Sequence, residues 1–550
     1  MKEYLLSSRL LQSAPSLHIT QTASHSHISR TCLAYLAQFD KDWLTKDSLQ
    51  DYPLARFAAE HWISHAKSGD IDSAPDLQKL AAHVFQHRYV CVNWNRLWDI
   101  DRPEFTQSSL TPIQTKIASP LYYASIACLT AVAKILLQNN VDVNAQGGWY
   151  GYALQAASYQ GSEAIVQLLI ESGADINAQG GRYGSALHAA SCQGSEAIVQ
   201  LLIENGADIN RQGGFYGNSL QVASFRGYVA IVQLLIEGGA DVNAHGGYYG
   251  SALQAASREG SEAIVQLLIE SGADSNAQGG FYGNALQAAS CEGYEAIVKL
   301  LIKSGADSNA HGGFFGYPLQ AASLLGSEAI VRLLIENGAD INAQGGRFGT
   351  ALQAASYAGS EAIVQLLIKS GADINAHCGF FGYPLQAASF RGSEAIIQLL
   401  VESGADINAQ GGKYDSALQA ASLRGFEPII GLLIDCGADI NALGGETGSA
   451  LQAASIQGHE AVVQLLIQSG ADINAQSGDY GSALHAASSE GHEAIVQLLI
   501  QSGADINAQS GLYGSSLQAA SWEGSEAVVQ LLIESGADIN VQGGESSGNQ

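Results

Sequence analysis

The stretch from Leu154 to Asn177, LQAASYQGSEAIVQLLIESGADIN, decides how this chain folds. Nearly the same letters return every 33 residues, and the leading leucine keeps its register to the end of the chain. The leading leucines of these copies are Leu154, Leu187, Leu220, Leu253, Leu286, Leu319, Leu352, Leu385, Leu418, Leu451, Leu484 and Leu517. A degenerate copy, Leu121–Asn144, precedes them in the same register and brings the number of copies to thirteen. Self-similarity at this period predicts a repeat architecture in which each unit stacks on the next.

Each copy predicts two helices and a turn. A short helix is expected over Tyr152–Ser158, and Gly161 ends it. Ser162 is the predicted N-cap of a second helix, and Gly173 is its predicted left-handed C-cap. The second helix is expected to be buried on two adjoining faces, through Ile165, Val166, Leu168, Leu169 and Ile170. The aspartates and asparagines that follow, such as Asp175 and Asn177, recur in every copy, which indicates turn structure and not a catalytic pair.

The period, the helix–turn–helix layout and the ending G-A-D-I-N-A resemble ankyrin repeats over about residues 119–544. This resemblance implies an all-α solenoid of thirteen repeats with hairpin loops, the first one degenerate. The family's T-P-L-H is mostly S-A-L-Q here, and its hairpin glycine is an aromatic residue such as Tyr183 in eleven of twelve copies. The constancy of these aromatics predicts ring packing between neighbouring hairpins. We also expect the hairpin turn to differ from the standard one.

The charge is distributed unevenly along the 550 residues. The net charge is −27, yet residues 1–118 hold 12 basic and 12 acidic residues, so the remaining 13 basic and 40 acidic residues lie in the repeats. A strongly acidic array is a poor match for phosphate backbones and for anionic membrane surfaces. We therefore expect the chain to bind neither nucleic acid nor membranes. We also expect it to be a monomer.

The cysteines and the hydropathy pattern indicate in which cellular compartment the protein is expected. Seven cysteines are scattered without a C-x-x-C spacing, which favours a reduced protein inside the cell, in the cytoplasm or the nucleus. No run of eighteen apolar residues exists that would predict a membrane-spanning helix.

Residues 1–118 predict a small helical head with helices over His27–Phe39, Leu54–Ser68, Asp76–His87 and Tyr89–Ile100. Four of the six tryptophans lie here and predict an aromatic core. The phrases HISRTCLAYL from residue 27 and PLARFAAEHW from residue 53 resemble the helical segment between the nucleotide-binding module and the ankyrin array of fungal NACHT-type signalling ATPases. KEYLLS, from residue 2, resembles the end of the winged-helix element before that segment. The resemblance implies that such a module precedes Met1, and residues 545–550 are interpreted as a truncated tail.

The sequence favours no catalytic or cofactor chemistry. No G-x-x-x-x-G-K-[ST] motif is present, so we expect no nucleotide binding and no cofactor. The pairs His61/His65 and His83/His87 have the i, i+4 spacing of metal ligands, but they lack an evident third ligand. We therefore expect neither a metal site nor enzymatic activity.

Comparison of the copies shows which positions vary while the scaffold stays constant. They are the residue before the hairpin aromatic and the two residues after the A-A-S of the short helix. The resemblance implies that these positions face the concave groove and contact partners. Aromatic residues and arginine, which dominate binding hot spots, recur there. The predicted partner-binding residues are Trp149, Tyr159, Arg182, Phe215, Phe225, Arg226, Tyr248, Arg258, Phe281, Phe314, Leu324, Arg347, Tyr357, Phe380, Phe390, Arg391, Arg424 and Trp522.

These observations predict recognition of a protein partner without catalysis. Two alternatives stay open. The chain is the sensor arm of a nucleotide-driven signalling protein, or it is a scaffold for several partners.

Overall fold

The structure is a computed structural model that describes residues 20–102, 110, 118–510 and 514–540. The segments 2–7 and 545–550, which the sequence interpretation used, lie outside the described residues. The chain forms two compact units, residues 1–273 and 274–550. In the described part of the chain, no helix has the length and apolarity needed to cross a membrane.

The described part of the head, residues 20–102, contains four helices in the predicted order. They are α1 (Gln21–Leu36), α2 (Ala55–Ser68), α3 (Pro75–Gln86) and α4 (Arg88–Leu97), with short 3-10 turns at Ser48–Asp51 and Ile71–Ser73. Helix α1 begins at Gln21, six residues before the predicted start, because the Thr20 hydroxyl caps it by accepting the Ala23 N–H at 3.2 Å. The other helix bounds differ from the prediction by at most three residues.

An aromatic cluster forms the core of the head. The rings of Trp62 and Phe85 lie 5.6 Å apart, and Trp94 lies 5.4 Å from Phe85. Tyr123, from the first repeat, joins this cluster with its ring 5.3 Å from Trp94. The other two tryptophans of the head are half-buried, so the aromatic core is smaller than predicted. Its contact with Tyr123 anchors the head to the first repeat.

Short and longer helices alternate through the repeats of the first unit. They are α5 (Pro120–Ile126), α6 (Thr130–Gln138), α7 (Ala153–Gln160), α8 (Glu163–Glu171), α9 (Ala186–Gln193), α10 (Glu196–Glu204), α11 (Ser219–Phe225), α12 (Val229–Glu237), α13 (Ala252–Glu259) and α14 (Glu262–Glu270). Within this unit, consecutive short helices pack against each other, and so do consecutive longer helices.

The second unit continues the same alternation. Its helices are α15 (Ala285–Glu292), α16 (Glu295–Lys303), α17 (Pro318–Leu325), α18 (Glu328–Glu336), α19 (Ala351–Ala358), α20 (Glu361–Lys369), α21 (Pro384–Arg391), α22 (Glu394–Glu402), α23 (Ala417–Arg424), α24 (Glu427–Asp435), α25 (Ala450–Gln457), α26 (Glu460–Gln468), α27 (Ala483–Ser489), α28 (Glu493–Gln501), α29 (Ser516–Glu523) and α30 (Glu526–Glu534). Two-residue strands, β1 (Gln509–Ser510) and β2 (Gly514–Ser515), pair antiparallel in the last hairpin. The predicted helical repeat architecture is confirmed.

The repeat around α7 and α8 shows why these residues form two helices. Helix α7 ends at Gly161, which adopts the left-handed conformation at φ 72°. Gly173 takes the predicted left-handed position after α8, at φ 85°, and donates its N–H to the Ile170 carbonyl at 3.0 Å. Ser162 is the N-cap residue of α8, as predicted, but its hydroxyl makes no capping hydrogen bond. The predicted side-chain cap is therefore wrong. Burial of α8 is also narrower than predicted: the fully buried residues are Ile165, Val166 and Leu169.

The aspartates and asparagines after each longer helix form a ladder of turns. The Asp175 carboxylate accepts the Asn177 N–H at 2.9 Å. The side-chain oxygen of Asn177 then accepts the Asp208 N–H at 2.8 Å, and its side-chain amide donates to the Gly206 carbonyl at 3.0 Å. The same bonds recur in the second unit. The prediction that these residues have a structural role is confirmed.

Candidate functional site

Each hairpin is closed by a turn that places one side chain in solvent and the next inside. Gly180 donates its N–H to the Gly184 carbonyl at 3.1 Å, so only three residues form the turn between them. Gly181 has φ 65°, a conformation that favours glycine. Arg182 is exposed at the tip, and Tyr183 is buried beneath it. This geometry explains why an aromatic residue replaces the usual glycine of the hairpin.

We call the residues before the hairpin aromatics the tip row. The N–H of a tip donates to the carbonyl of the preceding tip, as from Arg182 to Trp149 at 3.0 Å and from Tyr248 to Phe215 at 3.0 Å. In the second unit, the same bond joins the consecutive pairs Phe281–Phe314, Phe314–Arg347, Arg347–Phe380 and Phe380–Lys413. These bonds hold neighbouring tips at a fixed spacing.

The side chains of the tip row stack on one another while remaining accessible. The rings of Phe215 and Tyr248 lie 5.1 Å apart at an interplanar angle of 19°. Phe281 and Phe314 lie 5.4 Å apart at 15°. Phe215 is 63% exposed, and among the predicted tip residues only Phe380 is half-buried. The prediction of exposed hairpin tips therefore agrees with the structure.

Cations continue the row where aromatic residues are absent. The Arg182 guanidinium lies 5.6 Å from the Trp149 ring. Arg347 lies between two rings, 5.9 Å from Phe314 and 5.3 Å from Phe380. Rings and guanidinium groups at these distances attract each other through the ring quadrupole. Within each unit, the tip row is thus an ordered surface of rings and cations.

The first residue after A-A-S is not the exposed helix end that the sequence predicted. Tyr159 lies between two consecutive hairpin aromatics, 4.8 Å from Tyr150 and 4.9 Å from Tyr183. Phe225, Tyr357 and Phe390 are sandwiched in the same way, with rings 4.6 to 5.5 Å away. The prediction is wrong because the hairpin folds back over the last turn of the short helix. These half-buried side chains pack the hairpins together.

The remaining predicted residues divide by exposure. Arg258 and Leu324, at the same helix position, are also half-buried. Trp522, at this position in the last repeat, is 78% exposed. The next position along the chain faces solvent and includes Arg226, Arg391 and Arg424. The accessible candidates are therefore the tip row, these three arginines and Trp522.

A glutamine that the sequence analysis did not assign a role links each short helix to the next hairpin. The side-chain oxygen of Gln353 accepts the Thr350 N–H at 2.7 Å. Its amide donates to the Cys378 carbonyl at 2.8 Å and to the Gly382 carbonyl at 2.7 Å. The sequence feature that could have indicated this role is the Gln that ten of twelve copies carry in place of the histidine of T-P-L-H. These bonds fix the hairpin under the tip row.

A polar cavity of about 440 Å³ lies beside the first hairpin, lined in part by Asp101, Trp149 and Tyr123. The Tyr122 hydroxyl donates to one Asp101 oxygen, and the Trp149 N–H donates to the other at 3.1 Å. Burial raises the pKa of the Asp101 carboxyl, although both hydrogen bonds oppose that shift. Burial and the nearby Asp101 also raise the pKa of Tyr122, which stays a donor. The carboxylate is occupied in holding the hairpin.

The histidine pairs of the head do not form a metal centre among the described residues. The Nδ1 atoms of His25 and His65 lie 2.7 Å apart. Burial lowers the pKa of His65, with further lowering from His25 and His61. No group of three or more metal-ligating side chains occurs in the part of the chain that the structure describes.

Family comparisons agree with this geometry. A family model described as ankyrin repeats in three copies matches residues 121–213, 180–246, 220–312, 286–378, 384–477 and 475–543. The chain belongs to the ankyrin-repeat family. Ankyrin arrays typically mediate protein–protein interaction, and their fold is generally non-catalytic. The matched segments begin at residue 121, so the resemblance of the head to NACHT-type proteins stays a prediction.

Two individual proteins resemble parts of this chain. "Azaphilone pigments biosynthesis cluster protein L" of Monascus ruber is 36% identical over 178 residues, which cover 29% of this chain and 37% of that protein. The chain therefore spans little more than a third of that relative. The human ASB11 ankyrin repeat domain is 25% identical and is matched over 97% of its length, covering 40% of this chain with a TM-score of 0.35.

Proposed function

We propose that this ankyrin-repeat protein is a non-catalytic binding protein that recognises a protein partner through the tip row and the exposed arginines beside it. The observation that supports the proposal is the exposure of stacked aromatic residues such as Phe215 and Tyr248 on a hydrogen-bonded backbone. Exposed apolar surface of this kind marks interaction sites in soluble proteins. Its repetition along the hairpins provides the surface for a partner.

Preorganisation strengthens this argument. Binding normally loses affinity when mobile side chains become ordered. Here the ring of Phe281 already lies against Phe314, and the guanidinium of Arg347 already lies against Phe314. Aromatic residues and arginine are also the side chains that contribute most at binding hot spots. The tip row therefore binds with a small additional loss of conformational entropy.

The experiment uses tip substitutions that the repeat tolerates elsewhere. Glu446 occupies the tip position of its own copy, so Phe215→Glu with Tyr248→Glu should leave the fold intact. We expect proteins captured from the native cells by the tagged full chain to be lost with this double variant. The matched control is Gln200→Glu with Gln233→Glu, on exposed positions of the longer helices. Equal capture by both variants would place the binding surface elsewhere.

We further propose, as a second candidate, that the array is the recognition arm of a nucleotide-driven signalling protein. The two phrases that resemble the NACHT-type linker support it, and they lie on the packed helices α1 and α2 of the head. The intact mass of the native protein tests this candidate. Peptides that map upstream of Met1 and contain a P-loop would support it, whereas a native mass equal to that of the 57.5 kDa chain would exclude it.

A further inference from the structure

The second unit contains a segment of the binding surface whose charge opposes that of the chain. From Phe314 to Arg424, the exposed rows carry no carboxylate, although the net charge of the chain is −27. The tip row there reads Phe314, Arg347, Phe380 and Lys413, and the position after the sandwiched residue reads Leu325, Ala358, Arg391 and Arg424. In the following copies, the tip positions become Glu446 and Asp479. We call the segment from Phe314 to Arg424 the basic aromatic patch.

A cavity of about 330 Å³ opens within this patch. It is lined by Arg347 and six aromatic side chains, among them Tyr357, Phe380 and Phe390. The Arg347 guanidinium lies 5.3 Å from the Phe380 ring, and the Arg424 guanidinium lies 5.0 Å from the Phe390 ring. An apolar recess is therefore bordered by two cations.

The arginines of the patch lack carboxylate partners within the described residues, where Arg347, Arg391 and Arg424 form no salt bridge. A cation on one of the longer helices behaves differently. Arg332 pairs with Glu328 at 2.6 Å, four residues earlier on α18. The three arginines of the patch thus present positive charge, while the Lys413 ammonium lies 4.0 Å from the Glu446 carboxylate.

We propose that the basic aromatic patch binds an acidic peptide segment of the partner, whose carboxylates contact Arg391 and Arg424 while an apolar side chain enters the cavity. This inference rests on the proposed function, because it specifies the partner of the same surface. Guanidinium groups bind carboxylates with two parallel hydrogen bonds, so arginine suits this ligand. A basic segment would be repelled here and attracted to the acidic copies that follow.

The test selects peptides from a displayed library of random twelve-residue sequences, using the full chain as the target. We expect the selected peptides to be enriched in Asp and Glu around an aromatic or aliphatic residue. Their dissociation constants should rise about tenfold or more in Arg391→Glu with Arg424→Glu, since other copies carry Glu at these positions, as at Glu259 and Glu292. The binding should also weaken as the salt concentration rises.

The matched control is Lys303→Glu with Lys369→Glu. Both lysines are exposed at the ends of longer helices, where Glu171 stands in another copy, and the change in net charge is the same. Acidic peptides weakened equally by both double variants would reflect overall charge and overturn the proposal.

The outcomes separate this inference from the proposed function. Selection of basic or neutral peptides would overturn the proposal of an acidic ligand. If those peptides lose affinity for the variant Phe215→Glu with Tyr248→Glu, the tip row would still be a binding surface. Peptides insensitive to every tip-row and arginine variant, or the absence of any selected peptide, would count against both. A labelled single-stranded RNA that binds the wild type and not Arg391→Glu with Arg424→Glu would assign the patch to a phosphate polymer. Concentration-dependent dimers that dissociate in the same variant would assign it to a second copy of the chain.

Discussion

The Trp149 N–H donates to the Asp101 carboxylate at 3.1 Å, whereas the later tips Arg182 and Tyr248 donate to the backbone carbonyl of a preceding tip. Trp149 is the first residue of the tip row, and its acceptor is a side chain instead of the carbonyl of a preceding tip. The side chain from the end of the head takes that place, and the Tyr122 hydroxyl orients it. Solenoids need such a cap because their terminal repeats have one neighbour only. Asp101 thus acts as a cap for the first tip of the row.

Replacing Asp101 should therefore destabilise the first repeat. Asp101→Ala leaves the Trp149 N–H and the buried Tyr122 hydroxyl without their acceptor, which we expect to cost about 2–3 kcal/mol in the free energy of unfolding. Hydrogen exchange should show lost protection at Trp149 and at its neighbours. The exposed Asp40 provides a control, because Asp40→Ala should leave that exchange unchanged. Equal exchange in both variants would show that Asp101 does not cap the row.

The buried His188 predicts a dependence of stability on pH. Burial lowers the pKa of His188 from 6.5 to about 4. Because the folded pKa is depressed, the unfolded chain binds more protons between these values, so stability falls as the pH drops from about 6.5 towards 4. The full shift corresponds to about 3 kcal/mol, taken as an upper bound. At neutral pH, this contribution to the free energy of unfolding is retained.

His188→Gln should remove that dependence. Glutamine is the common residue at this position, and in other copies it donates to hairpin carbonyls, as Gln353 does to Gly382 at 2.7 Å. Neither ring nitrogen of His188 has a hydrogen-bond partner among the described residues. We therefore expect His188→Gln to be more stable at pH 7 by about 1 kcal/mol and to lose less stability at pH 4.5. Urea unfolding at both pH values measures this, and parallel profiles would contradict it.

His485 provides the comparison for this prediction. It occupies the same position in a later copy, but its ring bonds to the Ser482 hydroxyl at 2.7 Å and to the Gly514 carbonyl at 2.8 Å. His485→Gln therefore replaces the hydrogen bonds of the imidazole ring by those of a glutamine side chain, and no unpaired polar group is relieved. We expect a smaller gain at pH 7 than for His188→Gln.

The fold was predictable from the sequence because one pattern, repeated thirteen times, carries the helices, the glycine stops and the Asp–Asn turns. The site was predictable only in part. Variation among copies identifies positions that the scaffold does not fix, but it does not show what covers them. Tyr159 varies like Arg182, yet it lies between two rings while Arg182 faces solvent. That difference depends on how the hairpin folds over the helix, which no spacing in the sequence encodes.

The Gln353 bridge should matter more for stability than an ordinary surface glutamine. Gln353→Ala removes the acceptor of the Thr350 N–H and the donor to Gly382, both at 2.7 Å. Since these groups are buried, we expect a loss of about 2–3 kcal/mol in the free energy of unfolding. Gln398→Ala is the control, because this exposed side chain makes one contact of 3.5 Å to Glu394. Similar losses in the two variants would show that the bridge does not hold the hairpin.

Alanine substitutions at two glycines of one repeat should distinguish the energetic cost of backbone strain from that of a steric clash. Gly173 and Gly181 both have positive φ, at 85° and 65°. A Cβ on Gly173 would meet no atom within 4 Å, whereas a Cβ on Gly181 would overlap the backbone carbonyl of Tyr150 in the preceding hairpin. Gly173→Ala should therefore cost about 1–2 kcal/mol, the strain of the left-handed conformation alone.

Gly181→Ala adds a steric clash between neighbouring hairpins to the same strain. We expect a loss above about 3 kcal/mol in the free energy of unfolding, because the hairpin must shift to admit the methyl group. The shift should break the bond from the Arg182 N–H to the Trp149 carbonyl, which hydrogen exchange at Arg182 reports. Gly173→Ala should leave that amide protected. Equal losses and equal exchange in the two variants would mean that the tip row is not held by close contact between hairpins.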